Sequence, residues 1–312
     1  MTEIAPFSTP GRFWRGNIHT HSNLSDGAMD PEKVVNAYKS AGYDFMQLSE
    51  HFLERFGWPI ADTRKFRSNT FTTLIGAELH APMTQVGELW HIVAAGLPLD
   101  FAPCGPEETG AHIAKRAKDA GAFVGIAHPA WSQLTIEDGH ALDVAHAVEI
   151  YNHGCAVEND RGDGWYLMDQ LLNEGRRLTA FATDDAHFHN GDYDAFGGWV
   201  NVKAPSLDPE EILKSLKAGQ YYASQGPQIH ELSITGDELT LVTSPIHAVA
   251  ILCGTSRAVT RVGRHVTHGT YDLKKLHKSW LPGGVTPWIR VAVIDHSGRR
   301  AWTNPIWIDE LK

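Results

Sequence analysis

The sequence predicts an α/β domain with a mostly parallel sheet, followed by a small antiparallel β-sandwich. The chain has 312 residues, which is enough for one large domain and one small one. From residue 13 to about 225, short apolar runs alternate with helical patterns, as they do in βα units. After Gly226 and Pro227 the runs alternate with a period of two, which is typical of antiparallel strands.

The first region contains a series of candidate strands. They are FWRGNI (13–18), YDFMQLS (43–49), FTTLIGA (71–77), IVAAGL (92–97), GAFVGIA (121–127), HAVEIY (146–151), RLTAFA (177–182) and GGWVNVKA (197–204). Helices are predicted between several of them. Asp30 before Pro31, and Asp208 before Pro209, each place an N-cap residue ahead of a proline at the first helical position. Residues 107–120 and 163–174 have weaker helical patterns.

The second region contains only strand patterns. The runs are QIHELSI (228–234), ELTLVT (238–243), AVAILCG (248–254), WIRVAVID (288–295) and AWTNPIWI (301–308). Its length of about 85 residues is close to that of an immunoglobulin-like unit. We therefore divide the chain into a tail over residues 1–12, a catalytic α/β domain over residues 13–225 and a β-sandwich over residues 226–312.

Composition excludes several classes of protein. The chain has 27 Lys and Arg against 37 Asp and Glu, a net charge of −10 with neutral histidines. An acidic surface repels phosphate backbones, so long nucleic acid is not expected as a partner. A small-molecule substrate fits better. Several tryptophans in the second region suggest packing against the first region or a second subunit, so a homo-oligomer is also considered.

The sequence also bears on location. Its longest apolar runs, such as residues 123–127, are far shorter than the roughly 18 residues of a membrane span. The first residues lack a basic segment followed by an apolar one, so no secretion signal is expected. Cys104, Cys155 and Cys253 are odd in number and far apart, which favours neither a disulfide framework nor a CxxC motif. We expect a cytoplasmic protein without a membrane partner.

Histidines and acidic residues collect where candidate strands end. They are His19 and His21 after the first strand, Glu50 and His51 after the second, Glu78 and His80 after the third, His128 after the fifth, Glu149 and Asn152 after the sixth, and Asp185 and His187 after the seventh. The carboxyl ends of barrel strands converge on one face. His91 departs from the pattern, because it precedes its strand.

The joint pattern indicates a metal centre. A single His-x-His at a strand end is usually an accident of the surface or the core, but here acid and histidine recur at one topological position. Imidazole nitrogen with carboxylate oxygen suits Zn, Mn or Fe, and a carboxylate can bridge two ions. Several ligand sets imply more than one ion.

Seven short motifs in order resemble the PHP superfamily, named for its polymerase-associated and histidinol-phosphatase members. They are HTHSNLSDG (19–27), SEH (49–51), GAEL (76–79), the histidine at 91, AHP (127–129), VEIYN (148–152) and TDDAH (183–187). The resemblance implies a distorted (β/α)7 barrel that holds two to three divalent ions. Residues 158–172 and 219–227 also resemble the branch that includes carbaryl hydrolase.

The resemblance also implies a set of metal ligands. His19, His21, Glu78 and Asp185 would hold one ion, Glu78 would bridge to a second ion held by His91 and His128, and Asp26, His51 and His187 would hold a third. Many relatives have Asp before the second-motif histidine, where this chain has Glu50. We expect Glu50 to orient His51 from outside the ligand shell.

The expected reaction is hydrolysis by a metal-bridging hydroxide, because two neighbouring ions lower the pKa of a shared water. No GxSxG elbow is present, and no cysteine has a placed histidine partner, which disfavours covalent catalysis. Three residues are candidates for protonating the leaving group, and the sequence does not choose among them. They are Glu50, His80 and Glu149.

Two substrate classes remain open. The first is a small phosphorylated metabolite, for which Arg55 and Arg161 are the candidate phosphate-binding residues. The alternative is a carbamate, ester or amide. It is favoured by tryptophans near the predicted strand ends, namely Trp58, Trp90, Trp131 and Trp165.

Overall fold

The structure is a computed structural model in which residues 4–277 and 287–311 are described. Residues 1–3 of the predicted tail, and residues 278–286 and 312 of the predicted sandwich, lie outside this part. The strands are β1 (Arg12–Asn17), β2 (Phe45–Leu48), β3 (His51–Phe52), β4 (Thr72–Leu79), β5 (Ile92–Ala95), β6 (Phe123–Ile126), β7 (Ala147–Asn152), β8 (Thr179–Thr183), β9 (Trp199–Ala204), β10 (Tyr221–Ser224), β11 (Ile229–Thr235), β12 (Glu238–Cys253), β13 (Ala258–Asp272), β14 (Trp288–Ile294), β15 (Arg300–Trp302) and β16 (Ile306–Trp307).

Seven α-helices are present in the described residues. They are α1 (Pro31–Ser40), α2 (Gly110–Asp119), α3 (Ile136–Ala141), α4 (His153–Asn159), α5 (Trp165–Asn173), α6 (Pro209–Lys217) and α7 (Lys274–His277). The predicted caps are observed, since Asp30 accepts from the Lys33 backbone nitrogen and Asp208 from that of Glu210. The candidate strands of the first region are all present, with small shifts at their ends. The patterns did not reveal β3, β10, α3 or α4.

The sheet mixes parallel and antiparallel pairs, so the prediction of a mostly parallel sheet was wrong in part. Along β1, β2 and β4, and along β6, β7 and β8, neighbours are parallel. β5 is antiparallel to both β4 and β6, and β9 is antiparallel to β1. Residues 80–91 between β4 and β5 contain no helix. A parallel crossover needs a longer connection, usually helical, so this one returns antiparallel.

The described strands of the first region end at β8 on one side of the sheet. A bridge between Thr20 and Ala186 joins the segments that follow β1 and β8. Asn304 spans the gap between β8 and β10, because its side chain accepts from the Ala180 nitrogen and donates to the carbonyls of Gly219 and Tyr221. A mixed α/β architecture with one large sheet is therefore observed, and the distorted barrel remains a prediction.

The second region is joined to the first through the same sheet. β15 pairs with both β14 and β10, so the ladder continues from the first region to β11. The runs predicted at 238–243 and 248–254 belong to one long strand, β12, and β13 was not predicted at all. β15 pairs directly with β10, so one sheet runs across the predicted boundary at residue 226. The boundary and the immunoglobulin-like sandwich therefore remain predictions.

Residues from the predicted tail enter the core of the second region. Ile4 is buried there together with side chains of β11, β12 and β14. Phe7 stacks on Tyr222 with ring centroids 5.9 Å apart. The described part of the tail is therefore packed. No helix in the described residues has the length and apolarity to cross a membrane.

Candidate metal centre

The carboxyl ends of the strands deliver the predicted ligands to one place. The parallel pairing of β3 with β4 sets His51 beside Glu78. The antiparallel pairing of β5 with β4 sets Val93 beside Glu78 and Ile92 beside Leu79. The start of β5 therefore lies at the same edge as the end of β4. This is why His91 can join the cluster although it precedes its strand.

Glu78 lies at the centre of these side chains and is fully buried. Its Oε1 is 2.7 Å from His91 Nδ1 and 3.1 Å from His128 Nε2. Its Oε2 is 2.7 Å from His51 Nδ1. His19, His21 and His80 each place Nε2 3.5 to 3.6 Å from a Glu78 oxygen. One carboxylate thus contacts six imidazoles, which fits a bridging ligand.

Four groups of side chains have ligand atoms close enough to hold an ion. They are His19 with His21 and Asp185, His19 with Glu78 and His128, His21 with Asp26, His51 and His187, and His51 with Glu78, His80 and His91. The structure thus brings all nine predicted ligands together, and we call these nine residues the ligand cluster. That they bind metal remains a prediction. His80 is the one residue of these groups outside the predicted set.

The donor atoms of the ligand cluster fit cations. His19 Nε2, Asp26 Oδ1 and Glu78 Oε2 are buried and have no hydrogen-bond partner. Buried polar atoms are almost always satisfied, and lone pairs directed at one another are satisfied by a positive ion between them. Nitrogen and carboxylate oxygen are also the donors preferred by Zn, Mn and Fe. The residues present therefore suit divalent ions.

Three of these histidines have Nδ1 held by a neighbouring group and Nε2 directed inward. His19 Nδ1 lies 3.1 Å from Glu149 Oε1, and His187 Nδ1 donates to the Asp185 carbonyl at 2.9 Å. His128 Nδ1 lies 3.0 Å from Ser132 Oγ. Such outer contacts set the tautomer and the ring orientation of a metal-binding histidine. They leave Nε2 of each ring facing the ligand cluster.

Opposite charges keep the two central carboxylates ionised. Burial alone would raise the pKa of Glu78, but the imidazoles of His91 and His51 hold it well below its usual range. Burial would likewise raise the pKa of Asp185, but His19 and His21 hold it well below the ordinary value. Both side chains are therefore anionic, the form that binds a cation.

The histidines divide into two electrostatic classes. Burial lowers the pKa of His21 to about 3 and that of His91 to about 4. Burial also acts to lower the pKa of His51 and His187, but nearby carboxylates outweigh it. Glu78 and Asp26 raise the pKa of His51 to about 10. Asp26 and Asp185 raise the pKa of His187 to about 9. Since metal binds only deprotonated imidazole, an ion beside Asp26 has protons to displace.

Glu149 supports the ligand cluster from outside and does not face a substrate. It is fully buried. One oxygen contacts His19 Nδ1 and Thr183 Oγ1, and the other accepts from the His128 nitrogen at 2.6 Å and from Asn152 Nδ2 at 3.1 Å. Since both oxygens are occupied and enclosed, its position speaks against the predicted role as proton donor. It orients His19.

Glu50 is also engaged elsewhere. Its oxygens accept from the Ser22 nitrogen at 3.1 and 3.2 Å, from Ser22 Oγ at 2.5 Å and from Ser25 Oγ at 2.6 Å. These bonds tie down the turn that carries Asp26. The expected hydrogen bond to His51 is not among them. Glu50 is fully buried, so its position also disfavours the predicted role in proton transfer.

No protein-family model matches the sequence, and neither does any curated protein. Among solved structures, a two-domain protein from Bacteroides vulgatus, described as containing a predicted PHP-like metal-dependent phosphoesterase, is similar with a TM-score of 0.52 and 17% identity. The match covers 87% of this chain and 88% of that one. The fold is PHP-like.

This similarity confirms the resemblance read from the seven motifs at the level of the fold. It does not confirm the carbaryl-hydrolase branch, which remains a prediction. The similarity extends over both regions of the chain, because the match leaves little of either protein uncovered.

Two further solved structures were also matched. One is a candidate metal-dependent phosphoesterase from Bifidobacterium adolescentis, with a TM-score of 0.38, 14% identity and coverage of 55% of this chain and 87% of that one. The other is an amidohydrolase from Chromobacterium violaceum with bound sulfate and no metal, with a TM-score of 0.36, 15% identity and the same coverages. TM-scores this low do not establish a shared fold.

A cavity of about 590 Å³ reaches the ligand cluster. Among its lining residues are the cluster members Asp26, His51, His91, His128, Asp185 and His187. His80 is the only one of the three proton-transfer candidates in the lining. Cluster atoms are thus accessible from solvent through this cavity.

Only one of the two predicted substrate-binding arginines lies at the cavity. Arg55 lies in its wall, with its guanidinium carbon 4.5 Å from the centre of the Phe56 ring. Arg161 is exposed and is not part of the lining. It follows α4, where Asp160 takes the left-handed conformation and the chain turns away. Its position therefore does not support substrate binding.

The tryptophans divide in a similar way. Trp131 lines the cavity and packs its ring edge-on against His128, with centroids 5.0 Å apart. Trp90 and Trp165 are buried in the core, and Trp58 packs against the same core. Only Trp131 of the four is thus placed to contact a substrate in this cavity.

Sequence reasoning missed several residues of the cavity wall. They are Leu53, Glu54, Leu89, Gly154, Cys155, Glu158 and His189. None belongs to a motif with a chemical signature, so only their place in loops beside the motifs could have indicated them. Burial, with Asp185 and Glu149 nearby, raises the pKa of the Cys155 thiol.

Proposed function

We propose that this chain is a multinuclear metal-dependent phosphoesterase that hydrolyses a small phosphorylated metabolite. One observation carries the proposal: the buried Glu78 carboxylate is surrounded by six histidines at a cavity that also contains Arg55. A phosphate ester is an anionic substrate, and these are groups that hold cations or are themselves cationic. The PHP-like fold supports the proposal.

The proposal includes two to three divalent ions, of Zn, Mn or Fe. The ligand sets would be those implied by the motifs, with Glu78 shared between two ions. When bound, such ions supply Lewis acidity and a nucleophile of lowered pKa at neutral pH. It also includes a distorted (β/α)7 barrel over residues 13–225, an immunoglobulin-like sandwich after it, and a cytoplasmic location.

The chain's own residues have separate tasks in this scheme. Arg55 would bind phosphate oxygens at the cavity wall by charge-assisted hydrogen bonds. Glu149 holds His19, and Glu50 holds the turn carrying Asp26, so the donors are in place before substrate arrives. This preorganisation avoids reorganising the site during the reaction.

A second candidate function is hydrolysis of an aryl ester, carbamate or amide. It is favoured by the apolar part of the cavity wall, where Trp131 lies with Leu53 and Leu89. These side chains are suited to a flat apolar group rather than to a phosphate. The metal centre would be the same in both cases.

Turnover on matched substrates tests the proposal. Metal-loaded protein is assayed with a panel of small phosphate monoesters and with aryl esters and carbamates, and metal content is measured on the same sample. We expect phosphate release together with two to three bound equivalents. Turnover of a carbamate or ester without phosphate release would replace the first function by the second. Absence of bound metal after reconstitution would overturn both.

The variant Asp26→Ala refines the test. Loss of the Asp26 carboxylate leaves only His51 and His187 to hold the third ion. We therefore expect the metal content to fall by one equivalent and turnover to be impaired. Asp62→Ala is the matched control, because Asp62 is an exposed aspartate paired with Arg64 outside the cavity wall. Equal metal content in Asp26→Ala and wild type would contradict the assignment of the third ion.

A further inference from the structure

A chain of two hydrogen bonds connects a backbone carbonyl to His51 through His80. His80 Nδ1 lies 2.9 Å from the Trp90 carbonyl oxygen. His80 Nε2 lies 2.8 Å from His51 Nδ1. All three residues are buried. None of the roles considered so far accounts for this arrangement.

The carbonyl oxygen determines the direction of both bonds. A carbonyl can only accept, so His80 Nδ1 must carry a proton and donate it. In neutral His80 the lone pair is then on Nε2. His51 Nε2 faces Asp26, so if His51 binds an ion through that nitrogen its proton is on Nδ1. The contact between His80 Nε2 and His51 Nδ1 needs one proton between the two nitrogens. Since the lone pair is on His80 Nε2, His51 Nδ1 is the donor.

The distance between the two nitrogens indicates how they interact. The observed separation of 2.8 Å is that of a hydrogen bond. Glu78 Oε2 is also close to His51 Nδ1, but it has no hydrogen-bond partner, so it is not the acceptor.

We propose that His80 is a positioning residue that fixes His51 in the tautomer protonated on Nδ1 and thereby directs the His51 Nε2 lone pair to the third ion. His51 Nε2 faces Asp26 Oδ2 at 3.3 Å, and His187 Nε2 faces Asp26 Oδ1 at 3.4 Å. This inference rests on the proposed metal centre.

The proposal explains why Glu50 is free for another task. A metal-binding histidine usually donates its second nitrogen to a carboxylate, a carbonyl or water. The motifs suggested Glu50 as that partner, but its oxygens are occupied by Ser22 and Ser25. In this chain a second histidine, itself held by the Trp90 carbonyl, takes the place of the carboxylate.

Metal affinity tests the role of His80. His80→Leu removes the acceptor, whereas His80→Gln keeps an acceptor oxygen near the position of Nε2. The dissociation constant of each ion is measured by chelator competition with zinc. We expect His80→Leu to weaken only the third ion, by about 10–100-fold, as for other outer partners. His80→Gln should recover most of this loss. His112→Gln, an exposed histidine on α2, is the matched control.

Nitrogen NMR tests the tautomer directly. In zinc-loaded protein labelled with ¹⁵N-histidine, the His51 and His80 nitrogens should show a scalar coupling across the N–H···N bond, and the His51 proton should reside on Nδ1. The coupling should vanish in both variants, while the far-ultraviolet circular dichroism stays that of wild type. This signature depends on the proton and not on packing alone.

The results separate the inference from the proposed function. Unchanged affinity for all ions in His80→Leu overturns the inference, and so does equal loss in His80→Leu and His80→Gln, or a proton on His51 Nε2. If the N–H···N coupling and the rescue by glutamine are observed but no substrate turns over, the inference stands and the proposed function fails.

Discussion

The ligand cluster and the second region are both rich in histidine, but their histidines have different surroundings. In the ligand cluster, imidazoles are buried around carboxylates at strand ends. In the second region, His247, His265 and His296 pack ring against ring, with centroids 4.9 to 5.2 Å apart, and no carboxylate joins them in a metal-binding group of the described residues. Histidine content alone therefore does not indicate a site.

The difference lies in what surrounds the rings. A buried carboxylate supplies the negative charge that makes it favourable to gather several imidazoles and a cation away from water. The edge shared by β3, β4 and β5 supplies that carboxylate, Glu78. His265 and His296 remain exposed and have no need of it.

The largest effect is expected from removing the central charge of the ligand cluster. Glu78→Gln keeps the shape but removes a ligand of two ions, so we expect turnover to fall by more than the roughly 100-fold that an outer-shell change can cost. His247→Gln in the second region should leave turnover unchanged. Metal content and kcat/KM are measured together. Wild-type rates in Glu78→Gln would contradict the bridging role.

Metal removal should affect stability through the ligand cluster alone. An ion at 100 times its dissociation constant stabilises the folded state by about 2.7 kcal/mol, so a chelator should lower Tm by several degrees. Zinc in excess should restore it. The chelator should have less effect on Glu78→Gln, which has fewer ions to lose. Differential scanning fluorimetry measures Tm in both proteins. Equal decreases in Tm for wild type and Glu78→Gln would show that the stabilising ions lie elsewhere.

A third test concerns how the two regions are held together. Arg290 on β14 makes two hydrogen bonds to Asp169 on α5, at 3.0 and 2.8 Å, and lies over the Trp165 ring. Because this buried arginine makes its hydrogen bonds to a charged group, we expect Arg290→Ala to lower the free energy of unfolding by about 2 kcal/mol. The exposed Arg177, which pairs with Asp309 and Glu310, is the control.

Arg177→Ala should cost at most about 1 kcal/mol, as is usual for exposed ion pairs. Urea unfolding followed by tryptophan fluorescence measures both variants. If the two losses are equal, burial does not distinguish these contacts. Metal content should be that of wild type in both.

The smallest effect is expected at the cavity wall. Arg55→Ala should raise KM for a phosphate monoester by about 3- to 10-fold with little change in kcat, because it removes a binding contact outside the ligand cluster. Arg161→Ala should change neither constant, since Arg161 does not line the cavity. Steady-state kinetics measure kcat and KM for the two variants. The reverse order would mean that the cavity is not the substrate site.

Local patterns indicated several candidate ligands because these patterns depend on residue type and strand position. His19, His21 and Asp185 follow strands that an apolar run and its end already mark, and the caps at Asp30 and Asp208 are set by neighbouring residues. The hydrophobic periodicity of the first region predicted its strands for the same reason. In β12 the pattern is interrupted near Pro245, so one strand was read as two.

The sequence by itself determined which residues can bind metal and which strand ends carry them, because these depend on side-chain chemistry and short-range pattern. Only the tertiary structure decided what depends on pairing and direction. The antiparallel course of β5 brings His91 to Glu78, and the turn after α4 takes Arg161 away from the cavity. The Trp90 carbonyl sets the proton on His80, a contact that no spacing in the chain encodes, because a hydrogen bond requires atoms to meet in space.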